Sequence, residues 1–310
     1  MKRQVKIGLL GISLLAVFMV LLLMSKNTII QGYSTYLSEP VINTKTTPIK
    51  AVIFDLGNVL IKTSTPKLVW HLGFIDILKY MVLEQKDPRS LKYRVQEIVA
   101  AWAKTEGISG EDGRVPSYDG TPIPVSMQAW QKGQLSGQEL YKKSMEFLNL
   151  HEKVNPCGYH EKKLVIKCVQ LLAQPDIQIQ TKERMSHIIE IVQKIKQQHD
   201  GQGNRKFKLI ILSNMEQEVV PYIKQAFSDV ISLFDDHIFS GEVKMMKPYK
   251  EIYDLTIERN GLKHHECFFV DDLEENIAAA KEYGWKTFHL HKHSTAEQLY
   301  AELQTQGILA

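Results

Sequence analysis

The first apolar signal in the chain is unbroken. Ile7 to Met24, IGLLGISLLAVFMVLLLM, runs for 18 residues without a charge or a polar face. As a helix it would be about 27 Å long, close to the hydrocarbon thickness of a bilayer. Residues 1–26 therefore read as an N-terminal transmembrane helix. No small-x-small cleavage site follows in LLMSKNTII, which favours an uncleaved anchor over a signal peptide. Lys2, Arg3 and Lys6 precede the run and Lys26 follows it, which keeps the N-terminus cytoplasmic. The remainder is then expected on the far, extracytoplasmic side of the membrane, periplasmic in a bacterium. Residues 27–49 are polar with Pro40 and Pro48, and read as a linker.

Past the linker the pattern changes twice. Lys50 to Phe54, KAVIF, is a short apolar run of the kind found in buried parallel strands. From Thr63 to about Asn204 the apolar spacing becomes helical, as in KLVWHLGFIDILKYMVLEQ, LKYRVQEIVAAWAKT, SGQELYKKSMEFLNL and ERMSHIIEIVQKIKQQ. The Gly- and Pro-rich stretch 107–126 reads as a long loop between two of those helices. Afterwards apolar strands (FKLIILS, HIFS, CFFVDD, KTFHL) alternate with helical segments. Strands of this kind separated by helices predict an α/β fold with a doubly wound parallel sheet. The expected core is 50–62 plus 205–310, with 63–204 inserted as an α-helical cap over the carboxyl ends of the strands.

Composition narrows the function classes. The net charge is only +3, and Lys2, Arg3 and Lys6 account for it, so nothing marks a nucleic-acid surface. Three cysteines make no disulfide framework; Cys157 and Cys168 could pair in an oxidising compartment, and Cys267 reads as a small buried residue. In HLHKH, His289, His291 and His293 share one side of an extended segment but lack a further metal ligand, and read as surface histidines.

The chemistry lies at the strand ends. Asp55 follows the first strand, Ser213 and Asn214 end LIILSN, and Asp271 and Asp272 end CFFVDD, while Lys247 stands before Pro248 at an expected helix start. Each is also an ordinary turn, N-cap or helix start when taken singly. In a parallel sheet, however, these ends meet on one edge. Three carboxylates in one crevice call for a cation, and hard oxygen ligands suit Mg²⁺. Lys247 and the Ser213 hydroxyl would then hold an anion, with phosphate the best fit.

FDLGNVL, LIILSN, KMMKPYKEIYD and FFVDDLEENIAAAKEYG together resemble the four motifs of the haloacid dehalogenase superfamily. Their order is that of the subfamily with a helical cap between motifs one and two, and WQKGQLSGQELYKKSMEFL resembles a cap segment of bacterial sugar-phosphate phosphatases. The resemblance implies a Rossmann-like core, Asp55 as nucleophile through an aspartyl-phosphate, and Mg²⁺ held by Asp55, the Gly57 carbonyl and Asp272. Asp271 would act through water or by orienting Lys247, while Ser213, Asn214 and Lys247 would bind the phosphoryl group. The implied activity is hydrolysis of a small phosphate monoester. One departure stands out: most phosphatases of the superfamily carry a second Asp two residues after the nucleophile, and here that position is Gly57. A fairly good leaving group, such as a sugar 1-phosphate or an aryl phosphate, or an acid from the cap would compensate. Candidate cap acids are His71, Asp76, Glu111, Asp112 and Asp119, and Tyr118 and Trp130 are candidate pocket residues. The competing expectation is an inactive relative that binds a phosphorylated ligand or protein partner.

Overall fold

The computed structural model of the protein describes residues 48–105, 114–116, 122–151 and 157–310. The apolar run 7–24 lies outside the described residues, and among those described no helix is long and apolar enough to cross a membrane.

The chain enters on β1 (Ala51–Phe54) and turns through β2 (Ile61–Thr63) into α1 (Thr65–Leu72), α2 (Phe74–Leu83) and α3 (Ser90–Thr105). A short antiparallel pair, β3 (Arg114–Pro116) and β4 (Pro122–Pro124), occupies part of the expected loop and leads to α4 (Val125–Gln131). There follow α5 (Gly137–His151), α6 (Tyr159–Ala173) and α7 (Pro175–Gln180). Next, β5 (Lys182–Arg184) returns antiparallel to β2, and α8 (Ser186–Lys196) begins the second half. The rest alternates: β6 (Lys208–Ser213), α9 (Val220–Ala226), α10 (Ser228–Ile231), β7 (Asp236–Phe239), α11 (Ser240–Val243) and α12 (Lys250–Asn260). It ends with β8 (Cys267–Asp271), α13 (Glu274–Glu282), β9 (Lys286–His289) and α14 (Ala296–Thr305).

Five strands form one parallel sheet in the order β7-β6-β1-β8-β9. Because successive side chains alternate across a strand, the apolar runs feed both faces. Val52 and Phe54 of β1 join Leu209, Ile211, Phe268 and Val270 under α8, α9 and α14. Ala51 and Ile53 join Ile210, Leu212, Cys267 and Phe269 under α12 and α13. Each large apolar side chain so buried contributes about 1.5–3 kcal/mol. This fixes the register that brings the strand ends into line.

The cap has its own core. Leu72 of α1, Ile77 and Tyr80 of α2, Val95 and Ile98 of α3, and Leu164 and Val169 of α6 pack together. Its hinge is the β2–β5 ribbon, tied further by the Ser64 N–H donating to Thr181 O at 2.8 Å. The cap seats on the core through Ser240 Oγ to Gln131 O (2.7 Å) and Lys244 Nζ to Gly133 O (2.8 Å). Gly133 has φ +61, and a Cβ there would lie 2.7 Å from Gly241 O, so this contact needs glycine.

Two expectations change. The cap ends near residue 180, not at 204: Ile188, Ile191, Val192 and Ile195 of α8 pack against the sheet. Helical periodicity alone could not tell a cap helix from a sheet-covering one. The Cys157–Cys168 pair is excluded. Cys168 lies on α6, about 13 Å along the axis from its start at Tyr159. Cys157 precedes that start, while a disulfide needs Cα atoms within roughly 7 Å, and all three cysteines are free.

Candidate active site

Asp55 stands one residue beyond β1, and its N–H donates to Val270 O of β8 at 2.9 Å. Ser213 and Asp271 are the last residues of β6 and β8, which flank β1 on its two sides. The parallel sheet therefore presents all three on one edge. Lys247 enters from the segment between α11 and α12. Its Nζ donates to Asp55 Oδ1 at 2.8 Å and to Asp271 Oδ2 at 2.6 Å, and the side chain is 1% exposed. The Ser213 hydroxyl donates to the Asp55 carboxylate.

Two predicted site residues take positioning tasks. The Asn214 side chain accepts from Lys247 N–H at 2.8 Å and donates to Lys247 O at 2.9 Å, clamping the main chain that delivers the ammonium. Its side-chain amide is thereby occupied by the Lys247 main chain. Asp271 accepts from Lys247, from Leu273 N–H (2.8 Å) and from the Asn276 amide (3.0 and 3.1 Å). With both oxygens so engaged, it holds Lys247 in place. Pro248 is not in the first turn of a helix: α12 begins at Lys250, and the Lys247–Pro248 peptide is cis.

The electrostatics leave negative charge uncompensated. Ligand atoms of Asp55, Asp271 and Asp272 all lie within 4.8 Å of one another, and one ammonium faces them. Burial raises the pKa of Asp55; Lys247 opposes this and the charge of Asp271 adds to it. Burial likewise raises Asp272, the charge of Asp55 adds to it, and the Asn58 amide, 2.9 Å away, offsets part. Burial works against the charge on Lys247, but Asp271 and Asp55 outweigh it and raise its pKa. Ionising all three carboxylates in a site this buried requires a further cation. An all-oxygen donor set of this kind fits a hard divalent metal.

A sequence model of haloacid dehalogenase-like hydrolases matches residues 49–284. The chain belongs to this family of hydrolases. Solved structures are similar to the chain, and the first of them agrees on the fold. A HAD-family enzyme of Bacteroides thetaiotaomicron is 19% identical, with TM-score 0.50, covering 82% of this chain and 99% of that one. The same enzyme in complex with magnesium and inorganic phosphate gives 17% identity and TM-score 0.47, covering 81% and 99%. A HAD-like family hydrolase from Porphyromonas gingivalis gives 18% identity and TM-score 0.45, covering 83% and 98%. No curated protein matches the chain significantly.

Of the described cap candidates in this hydrolase, Asp76 is tied up in ion pairs and His71 rests on a neighbouring ring. Asp76 is locked between Lys163 (2.8 Å) and Lys167 (3.0 Å), whose bonds outweigh burial and lower its pKa. His71 packs edge-on against Trp70, with ring centroids 5.4 Å apart. Trp130 is buried in the cap core. Glu111, Asp112, Tyr118 and Asp119 lie outside the described residues. The three histidines meet edge to face in sequence, and His289 Nε2 lies 3.0 Å from Asp272 O, so His289 supports a site residue from behind. Among the described residues, the carboxylate trio is the group with metal-ligand spacing.

Sequence reading missed Glu216. Three residues past Ser213 it looks like a loop acid, yet it is buried, lining a cavity of about 500 Å³ between the core and the cap turn. Burial pushes its pKa up to about 7, against its own main-chain N–H, Lys182 and Gln178. The folded state thus keeps a proton that the unfolded chain releases near pH 4.5. Stability should fall as pH rises from about 4.5 to 7, by up to about 3 kcal/mol. Denaturant unfolding at pH 5 and pH 8 checks this: Glu216→Gln should remove most of the difference, and an unchanged difference would refute the assignment.

Proposed function

We propose that the protein is a Mg²⁺-dependent phosphatase of small phosphate monoesters that works through an aspartyl-phosphate on Asp55. The observation that carries this reading is the buried Lys247 ammonium bridging Asp55 and Asp271, with Asp272 beside them. A site that only bound phosphate would gain nothing from a carboxylate aimed into it.

The residues suited to hold Mg²⁺ are Asp55, Asp272 and the Gly57 main-chain carbonyl. When bound, the metal would neutralise carboxylate and phosphoryl charge, so that Asp55 is ionised and the substrate is polarised. An Asp55 oxygen attacks phosphorus as the bond to the leaving oxygen breaks. Lys247, held by Asn214 and Asp271, stabilises charge on Asp55 and the transferring group. The Ser213 hydroxyl, close enough to bond Asp55, is available to a phosphoryl oxygen. Water then attacks the aspartyl-phosphate, releasing phosphate and restoring the carboxylate. Because phosphoryl transfer is chiefly positioning and charge stabilisation, this set supplies most of what the reaction needs.

Gly57 sets the substrate range. With no acid at that position to protonate the leaving oxygen, esters whose leaving group departs as a fairly stable anion are favoured: aryl phosphates and sugar 1-phosphates. The test is phosphate release from a panel of aryl, sugar 1- and alkyl phosphates, with Mg²⁺ and with chelator. Turnover that survives chelation would overturn the metal-dependent reading, and no turnover on any ester would favour the binding-only alternative. Gly57→Asp is the accompanying variant. A Cβ at Gly57 meets only Asp55 Oδ2 at 3.7 Å, so the side chain has room. It should raise kcat on alkyl phosphates by about 10²-fold, in the range of a positioned acid, and change aryl phosphates little. A uniform loss on both classes would show that leaving-group protonation is not what the site lacks.

A further inference from the structure

A cleft of about 940 Å³ opens beside Asp272, and nothing in the mechanism uses it. The hinge ribbon forms one wall and contributes Lys62 from β2 and Arg184 from β5. The first turn of α8 contributes Ser186, and the segment after β9 contributes Lys292. Asn58 and Asp272, bonded at 2.9 Å, line the cleft on the side of the carboxylate trio, to which Asp272 belongs. Three cationic side chains therefore line a concavity whose one acidic lining residue is Asp272, itself suited to the metal.

These cations are prepared to different degrees. Arg184 is held by Asp229 through Nε at 2.9 Å and Nη2 at 2.7 Å, and its guanidinium stacks over Phe227 at 4.8 Å. A guanidinium oriented in advance loses little rotamer freedom when it meets an anion. Lys62 reaches Glu183 only at 3.4 Å in an exposed pair, and such pairs contribute little, so its ammonium can be recruited. The N-cap of α8 is Met185, whose side chain makes no capping hydrogen bond, so the positive end of the helix dipole adds to the same wall. The cleft is thus a hollow lined by three cationic side chains that adjoins the reacting centre at Asp272.

Resting on the phosphatase reading, we propose that this cleft binds a second anionic group of the substrate, a phosphate or carboxylate distal to the ester being cleaved. The preferred substrates are then small phosphate monoesters with a further acidic group at the far end. A monoester lacking that group reaches the same catalytic residues but leaves the cleft to water.

The experiment compares a sugar 1-phosphate, its 1,6-bisphosphate and its 1-phosphate 6-carboxylate on the full chain and on the double variant Lys62→Ala/Lys292→Ala. Both lysines are exposed, so the fold is retained. In the native protein the esters with a distal anion should show KM about tenfold or more below that of the plain ester. The double variant should remove that advantage and leave the plain ester's KM and all kcat values close to native. Equal KM for all three esters in the native protein, or an equal loss on all three in the variant, overturns the inference. Comparing the phosphate and carboxylate esters tells which group the cleft prefers. If no ester turns over, the phosphatase reading fails, and calorimetric titration with inorganic pyrophosphate then decides the cleft separately. Weaker binding by the double variant supports the cleft, and equal binding overturns it.

Discussion

Asp55→Asn should abolish turnover, lowering kcat by about 10⁴-fold or more in line with the loss of a catalytic nucleophile. The amide matches the carboxylate in size but carries no charge and does not attack phosphorus. Its environment predicts that the variant stays folded. Asp55 is 7% exposed and packed beside Asp271, so removing its charge relieves like-charge repulsion while Lys247 keeps its bond to Asp271. The variant should therefore equal or exceed the native thermal stability in chelator. Phosphate release and a thermal melt on the same preparation check both parts. Residual activity within tenfold of native would remove Asp55 from the nucleophile's role and with it the aspartyl-phosphate.

Lys247→Met should have the opposite stability effect. It removes the one ammonium facing Asp55 and Asp271 while keeping the volume of the side chain. Breaking a buried pair by deleting one partner costs about 3–5 kcal/mol, because the remaining charge stays uncompensated. For a fold of this size that is a drop of about 10 °C in Tm. The pH sign follows from the same groups. Without Lys247, which opposes the effect of burial, the Asp55 carboxylate is pushed further above its ordinary value, so the folded state holds a proton that the unfolded chain has lost. The stability deficit should then widen as pH rises above the ordinary carboxylate range and shrink toward acid pH. Mg²⁺ should raise the Tm of the variant more than that of the native protein, since ligand that binds only the folded state stabilises it by mass action. A variant melting within 2 °C of native at pH 7 in chelator would show that the bridge carries little of the fold.

Both predictions depend on residues the sequence already singled out, and the reason is periodicity. Ala51 to Phe54 and Cys267 to Val270 are apolar on both faces, so they must be interior strands of a covered sheet, and the polar residue that ends each must lie at its carboxyl edge. Asp55, Ser213, Asp271 and Asp272 are legible on that ground alone. Roles that depend on side-chain direction were not. Asn214 follows Ser213 directly, yet its amide turns to clamp Lys247, because the β6 end and the 244–249 segment pass within hydrogen-bond reach only in the folded chain. Asp76 looked as available as any cap acid until α6 brought Lys163 and Lys167 against it, from 87 and 91 residues away. Glu216 was invisible for the converse reason: its loop is polar in sequence, and burial comes from the cap turn laid over it.

The sequence by itself determined the parallel sheet, the inserted helical cap and the set of acidic strand ends, because hydrophobic spacing and strand termini are local properties. Only the tertiary structure decided where the cap ends, that Cys157 and Cys168 stand apart, how one ammonium is shared by two carboxylates, and that a basic cleft adjoins Asp272. Each of these depends on distances between segments far apart in the chain, and packing sets those distances.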